Sequence, residues 1–135
     1  MGLLERVLIF SGSIISIGFG IWHLFIPNIW KWYSYIESSA KELIIAVRAI
    51  NIFFSLSLIL FGLINLLFAV NTLSNKYSIV IMLAATSILW FTRVILQIIY
   101  PQGSMTPLLQ YGMLSLFILV FLCFIVSLIL VVVKK

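Results

Sequence analysis

Charge is what this sequence has least of. Only 8% of its 135 residues are charged, and the acids are limited to Glu5, Glu37 and Glu42. A soluble domain carries about a quarter charged residues. Here 64% of residues are hydrophobic and the mean hydropathy is +1.32. A single soluble core of this size cannot hide so much apolar surface, which excludes a soluble enzyme, a disordered tail and a nucleic-acid-binding domain. The net charge of +5 does not point to nucleic acid either, because no basic patch is present for a phosphate backbone to follow. The lone Cys123 excludes an internal disulfide, a CxxC pair and a thiolate metal site built by one chain. A single histidine, His23, excludes haem held by two histidines of one chain, and no metal site or other cofactor is indicated. The class that remains is an integral membrane protein of one domain, residues 1–135.

Four long apolar runs carry the chain, at about 7–26, 43–70, 78–100 and 108–133. Each is close to or above the ~20 residues a helix needs to span about 30 Å of hydrocarbon. A transmembrane barrel would show alternating strands of about ten residues, and none occur. The expected fold is therefore all-α, a four-helix transmembrane bundle. Pro27 is expected to stop the first helix at Ile26. The turn between the second and third is read at Asn71-Thr72-Leu73-Ser74-Asn75-Lys76. The first run is too long for the apolar part of a signal peptide and lacks a small-x-small cleavage site, so it reads as a retained helix.

Between the first two helices, residues 27–42 carry Trp30, Trp32, Tyr33 and Tyr35 among Lys31, Glu37, Lys41 and Glu42. Such rings collect at headgroup depth because only their N–H or O–H is polar. This reads as an interfacial, partly helical segment lying over the helix ends. With four spans, Arg6, Lys76, Lys134 and Lys135 share one side, and Lys31 and Lys41 the other. The basic excess predicts a multi-pass protein with both termini cytoplasmic.

The polar residues within the spans are not scattered. Ser13, Ser16, Gly20, His23 and Pro27 fall within about 80° of one face at 100° per residue. Arg48, Asn51, Ser55, Gly62 and Asn65 cover about 100° of the second helix, and Thr86, Trp90, Arg93, Gln97 and Tyr100 about 80° of the third. Charged and amide groups are costly against lipid, so these faces are expected to turn toward one another. By helical rise, His23, Arg48, Asn51, Arg93, Gln97 and Tyr100 also share the outer half of the bundle. The fourth helix, with Gly112, Ser115, Cys123 and Ser127 on roughly one side, reads as a packing helix.

The candidate ligand-binding residues are thus His23, Arg48, Asn51, Trp90, Arg93, Gln97 and Tyr100. Each also has a structural reading. Arg48 can snorkel to the headgroups or pair with Glu37 or Glu42. His23 can simply bond Asn51 or Gln97, the amides can hold helices together, and Trp90 and Tyr100 can serve as core and belt. Arg93 lies about 10 Å from Pro101 by helical rise, which snorkelling explains less well. Two arginines, an imidazole and two amides make a donor-rich pocket, suited to an amphiphile whose head accepts hydrogen bonds, a quinone or an anionic lipid.

The stretch Gly20-Ile21-Trp22-His23-Leu24-Phe25-Ile26-Pro27 resembles the G-x-x-H-x-x-x-P pattern ending the first helix of DoxX-like membrane proteins. Those are small four-helix proteins, some of them associated with quinone-linked oxidoreductases. The resemblance spans about eight residues plus the four-helix layout and bears on Gly20, His23 and Pro27 alone. It implies an accessory subunit of a redox complex. Three other functions stay open: an enzyme on a lipid-soluble substrate with His23 as acid/base and both arginines stabilising an oxyanion, a small transporter, and a purely structural partner. Expected partners are the bilayer, a quinone or anionic lipid, and either a second copy of the chain or another membrane subunit.

Overall fold

A computed structural model of the chain describes residues 1–71 and 75–134. Residues 72–74 of the predicted turn and residue 135 lie outside the described residues. Four helices follow one another: α1 (Leu3–Ile29), α2 (Lys41–Val70), α3 (Lys76–Ile99) and α4 (Pro107–Val133), with a 3₁₀ turn at Trp32–Tyr35. All four are long and apolar enough to cross a membrane, and no strand occurs among the described residues. Helices satisfy every backbone group within the segment, which hydrocarbon requires. The protein is an all-α, four-helix, multi-pass membrane protein.

The helix ends are set by local chemistry. Asn75 caps α3, its Oδ1 accepting from the Tyr77 N–H at 3.0 Å. Pro107 opens α4 at a position where its missing N–H costs nothing. Between α3 and α4, Gly103 takes φ +75°, a conformation glycine adopts without a Cβ penalty. Pro27 does not stop α1 as expected; the helix continues to Ile29. So near the end, proline removes only the bond that its nitrogen would have given the His23 carbonyl, and the final turn closes through Trp30 N–H to Ile26 O at 2.9 Å. The expected interfacial segment is correspondingly shorter, since 27–29 belong to α1 and 41–42 to α2.

Packing is uneven around the bundle. The α1–α2 pair is the tightest, because glycines let the backbones approach. A Cβ on Gly20 would stand 2.8 Å from the Ser55 carbonyl oxygen, and one on Gly62 would stand 3.0 Å from that of Ser13. Helix α4 packs on both α1 and α3 through Phe117, Val120 and Phe124, all fully buried. Phe19, Trp90 and Phe117 form the aromatic centre, with Phe19 edge-on to Phe117 at 5.1 Å. Of the small residues on α4, only Cys123 and Ser127 face inward; Gly112 and Ser115 are exposed. Helices α2 and α3 meet only sparingly. The bundle is therefore closed on three sides and open on the fourth.

Two polar devices hold the end that carries the termini. Asn65 Nδ2 donates to Thr86 Oγ1 at 2.7 Å, pinning α2 to α3. Buried Glu5 pairs with Lys134, whose carbonyl accepts from Lys76, so the starts of α1 and α3 are tied to the end of α4. The α1–α2 and α3–α4 connections lie at the opposite end, the loop end.

Candidate functional site

Above the Asn65–Thr86 pin, toward the loop end, α2 and α3 enclose a cavity of about 360 Å³. Val47, Ile50, Asn51 and Phe54 of α2 form one wall, and Arg93 and Leu96 of α3 with its C-cap Tyr100 the other. His23 of α1 stands behind, while Trp32 and Gln102 contribute from the two connections. A groove of about 410 Å³ at the terminal end has Arg6 as its only charged lining residue and draws on α1 and α2 alone. Convergence from three helices and two loops distinguishes the loop-end cavity.

His23 is held from several directions. Its Nδ1 lies 3.4 Å from Ser55 Oγ across the α1–α2 seam. Phe54 presents an edge-on ring at 4.8 Å, with Phe19 and Trp32 farther out. Asn51 lies beside the ring; its Oδ1 is buried, which leaves its NH₂ as the half of the amide with access.

Arg93 is half-buried and fixed from two sides. One Nη donates to Gln102 Oε1 at 2.7 Å, and the guanidinium carbon sits 4.3 Å from the Phe117 ring centroid. Gln102 belongs to the α3–α4 connection, so the guanidinium lies at the loop end of the bundle, between that loop and the Phe117 ring. A charge-assisted hydrogen bond contributes about 1.5–3 kcal/mol and a cation–π contact about 0.5–2. These contacts support the side chain without neutralising it. Glu37 and Glu42 are exposed and line none of the described cavities, and the only ion pair among the described residues is Glu5–Lys134 at the far end.

The remaining expected residues separate. Gln97 is buried beneath the α3–α4 connection, where its Nε2 donates to the Gln102 carbonyl at 3.0 Å and its Oε1 accepts from the Gln102 N–H. It braces the loop that carries Arg93's acceptor and does not line the cavity. Trp90 lies in the aromatic core. Tyr100 is at the rim, 71% exposed. Arg48 is exposed, 5.3 Å over the Tyr33 ring, and lines a neighbouring groove of about 250 Å³ with Asn28 and Pro27. Asn51 is the wall shared by that groove and the main cavity. Trp32, Gln102 and Ser55 were not among the expected site residues. Gln102 sits in a turn with no periodicity to betray it, although a buried Arg93 near a helix end calls for an acceptor close by.

Comparison of the chain with protein-family models, with curated proteins and with solved structures found no match.

Proposed function

We propose that this is a non-catalytic membrane protein that holds the polar head of an amphiphile, a quinone or an anionic lipid, between α2 and α3. The observation that carries this reading is the loop-end cavity itself. Its volume is within the range of ligand pockets, about 300–1,000 Å³. Its walls offer hydrogen-bond donors from Arg93 and Asn51, with the His23 imidazole beside them, among apolar side chains. Of the neighbouring helices in the bundle, α2 and α3 touch each other least, so a tail can leave sideways into lipid. Arg6, Lys76 and Lys134 at the terminal end favour that end as cytoplasmic, with the cavity in the outer half. The DoxX-like pattern at Gly20, His23 and Pro27 is consistent with an accessory role beside a redox enzyme.

Native mass spectrometry of gently purified protein tests the reading. The expected result is an amphiphile adduct retained by wild type and by Arg48→Ala, and lost from Arg93→Ala and His23→Ala. Identical adducts on all four proteins, or none on any, would refute it.

A further inference from the structure

Resting on that binding site, we infer that its ligand carries a single negative charge: the oxyanion head, carboxylate or phosphodiester, of an acyl lipid. A quinone is not the ligand. Three observations on charge and access lead there.

The first is the balance of charge. Arg93 is the one charged side chain lining the cavity, and its guanidinium always carries its proton at neutral pH. Its described contacts are an amide oxygen and an aromatic face, neither of which bears a full negative charge. The chain's acids are elsewhere: Glu5 is paired with Lys134, and Glu37 and Glu42 are exposed on the α1–α2 connection and the start of α2. A neutral quinone carbonyl would accept a hydrogen bond and leave the charge as it is. An oxyanion neutralises it, and a carboxylate or phosphate oxygen pair matches the fork of donors that Gln102 leaves unused. One guanidinium calls for one charge; Arg48 belongs to the groove on the other side of Asn51.

The second observation is the polarity of the lining. Besides Arg93, Asn51 turns its amide NH₂ to the space, since its oxygen is buried. No carboxylate lines the cavity to compete with an anionic head for Arg93.

The third is the exit. Ile50 and Leu96, on opposite walls, are 67% and 44% exposed and mark the opening between α2 and α3. An acyl chain bound by its head inside would pass between them into the bilayer.

The test compares probes of matched chain on the whole protein in neutral detergent, scored by native mass spectrometry. The anionic probes are oleate and phosphatidylglycerol; the neutral ones are oleoylglycerol and a short-chain ubiquinone; inorganic phosphate separates a lipid head from a free anion. On wild type the anionic lipids are expected to bind at least tenfold tighter than the neutral probes, and phosphate alone not to compete. That preference is expected to vanish in Arg93→Gln and to survive in part in Arg93→Lys. Leu96→Trp, which fills the opening, is expected to weaken every lipid probe together. Neutral probes binding wild type as well as anionic ones, with Leu96→Trp still blocking all of them, would overturn the charge inference and leave the cavity reading standing. Binding of every probe indifferent to Leu96→Trp would overturn both. Phosphate competing as well as the lipids would make the ligand a free anion and overturn the lipid assignment. The wild-type comparison needs no variant to fold.

Discussion

The α1–α2 seam makes a quantitative prediction through Gly20. A Cβ placed there stands 2.8 Å from the Ser55 carbonyl oxygen, 2.9 Å from Ile59 Cγ1 and 3.1 Å from Leu58 Cβ. The isoleucine can rotate away; the carbonyl belongs to the α2 backbone and can move only with the helix. Gly20→Ala is therefore an overpacking change, costing about 1–3 kcal/mol. At about 1.4 kcal/mol per decade, the folded-to-unfolded ratio falls about 5- to 150-fold. Gly18, two residues earlier on the lipid-facing side of α1, has nothing within 4 Å of its would-be Cβ. Gly18→Ala is expected to be neutral or to stabilise by up to about 1 kcal/mol through helix propensity. Reversible unfolding by SDS in mixed micelles, followed by tryptophan fluorescence, separates the two. The same displacement would draw Ser55 away from His23, one turn above Gly20, where the contact is 3.4 Å. Gly20→Ala should thus also weaken amphiphile retention. Equal unfolding midpoints for the two variants would refute the close-approach account of the seam.

Two further changes probe the polar interior. Asn65→Leu removes the bond to Thr86 and is expected to cost about 0.6 kcal/mol, at most about 1.7, the range found for interhelical hydrogen bonds in membranes; a double cycle with Thr86→Val that shows no coupling would sink the pin. Ser13 is fully buried with its hydroxyl unbonded among the described residues, so Ser13→Ala should be neutral or slightly stabilising in the same SDS titration, and a loss above about 1 kcal/mol would show that the hydroxyl has a partner.

The helical faces were legible because lipid sorts side chains by cost. Ser13, Ser16, Gly20, His23 and Pro27 are all buried, as are Asn51, Ser55, Gly62 and Asn65. On these two helices Arg48 is the exception, and its position explains it: it lies at the edge of its arc, about 60° from Asn51 at 100° per residue. It is also only two turns from the start of α2, so its stem reaches Tyr33 instead of turning inward. An arc states which residues face the bundle and not which neighbour they meet. Trp90 and Gln97 satisfy the angular rule, yet one fills the aromatic core and the other braces a loop. The roof was harder still. Trp32 and Gln102 come from irregular segments whose course depends on the left-handed Lys31 and on Gly103, for which no periodicity exists.

The opening between α2 and α3 is a consequence of how the other interfaces are made. Glycines draw α1 and α2 together, and the Phe19–Trp90–Phe117 cluster draws α1, α3 and α4 together. Helix α2 is thereby committed to α1, and α3 to α4. The two meet through Asn65 and Thr86 near the terminal end, and toward the loop end Asn51 and Arg93 face a shared space. Closing that space with apolar packing would strand a guanidinium whose other supports, Gln102 and Phe117, lie on the α3–α4 side. On the proposed reading an anionic head fills the space and neutralises the charge, so ligand occupancy should raise the stability of wild type by about 2.7 kcal/mol at a hundred times its dissociation constant. The Arg93→Gln variant should gain far less from the same concentration of anionic lipid. Equal gains for the two proteins in the SDS titration would mean that the lipid stabilises the bundle from its outer surface and that the cleft plays no part.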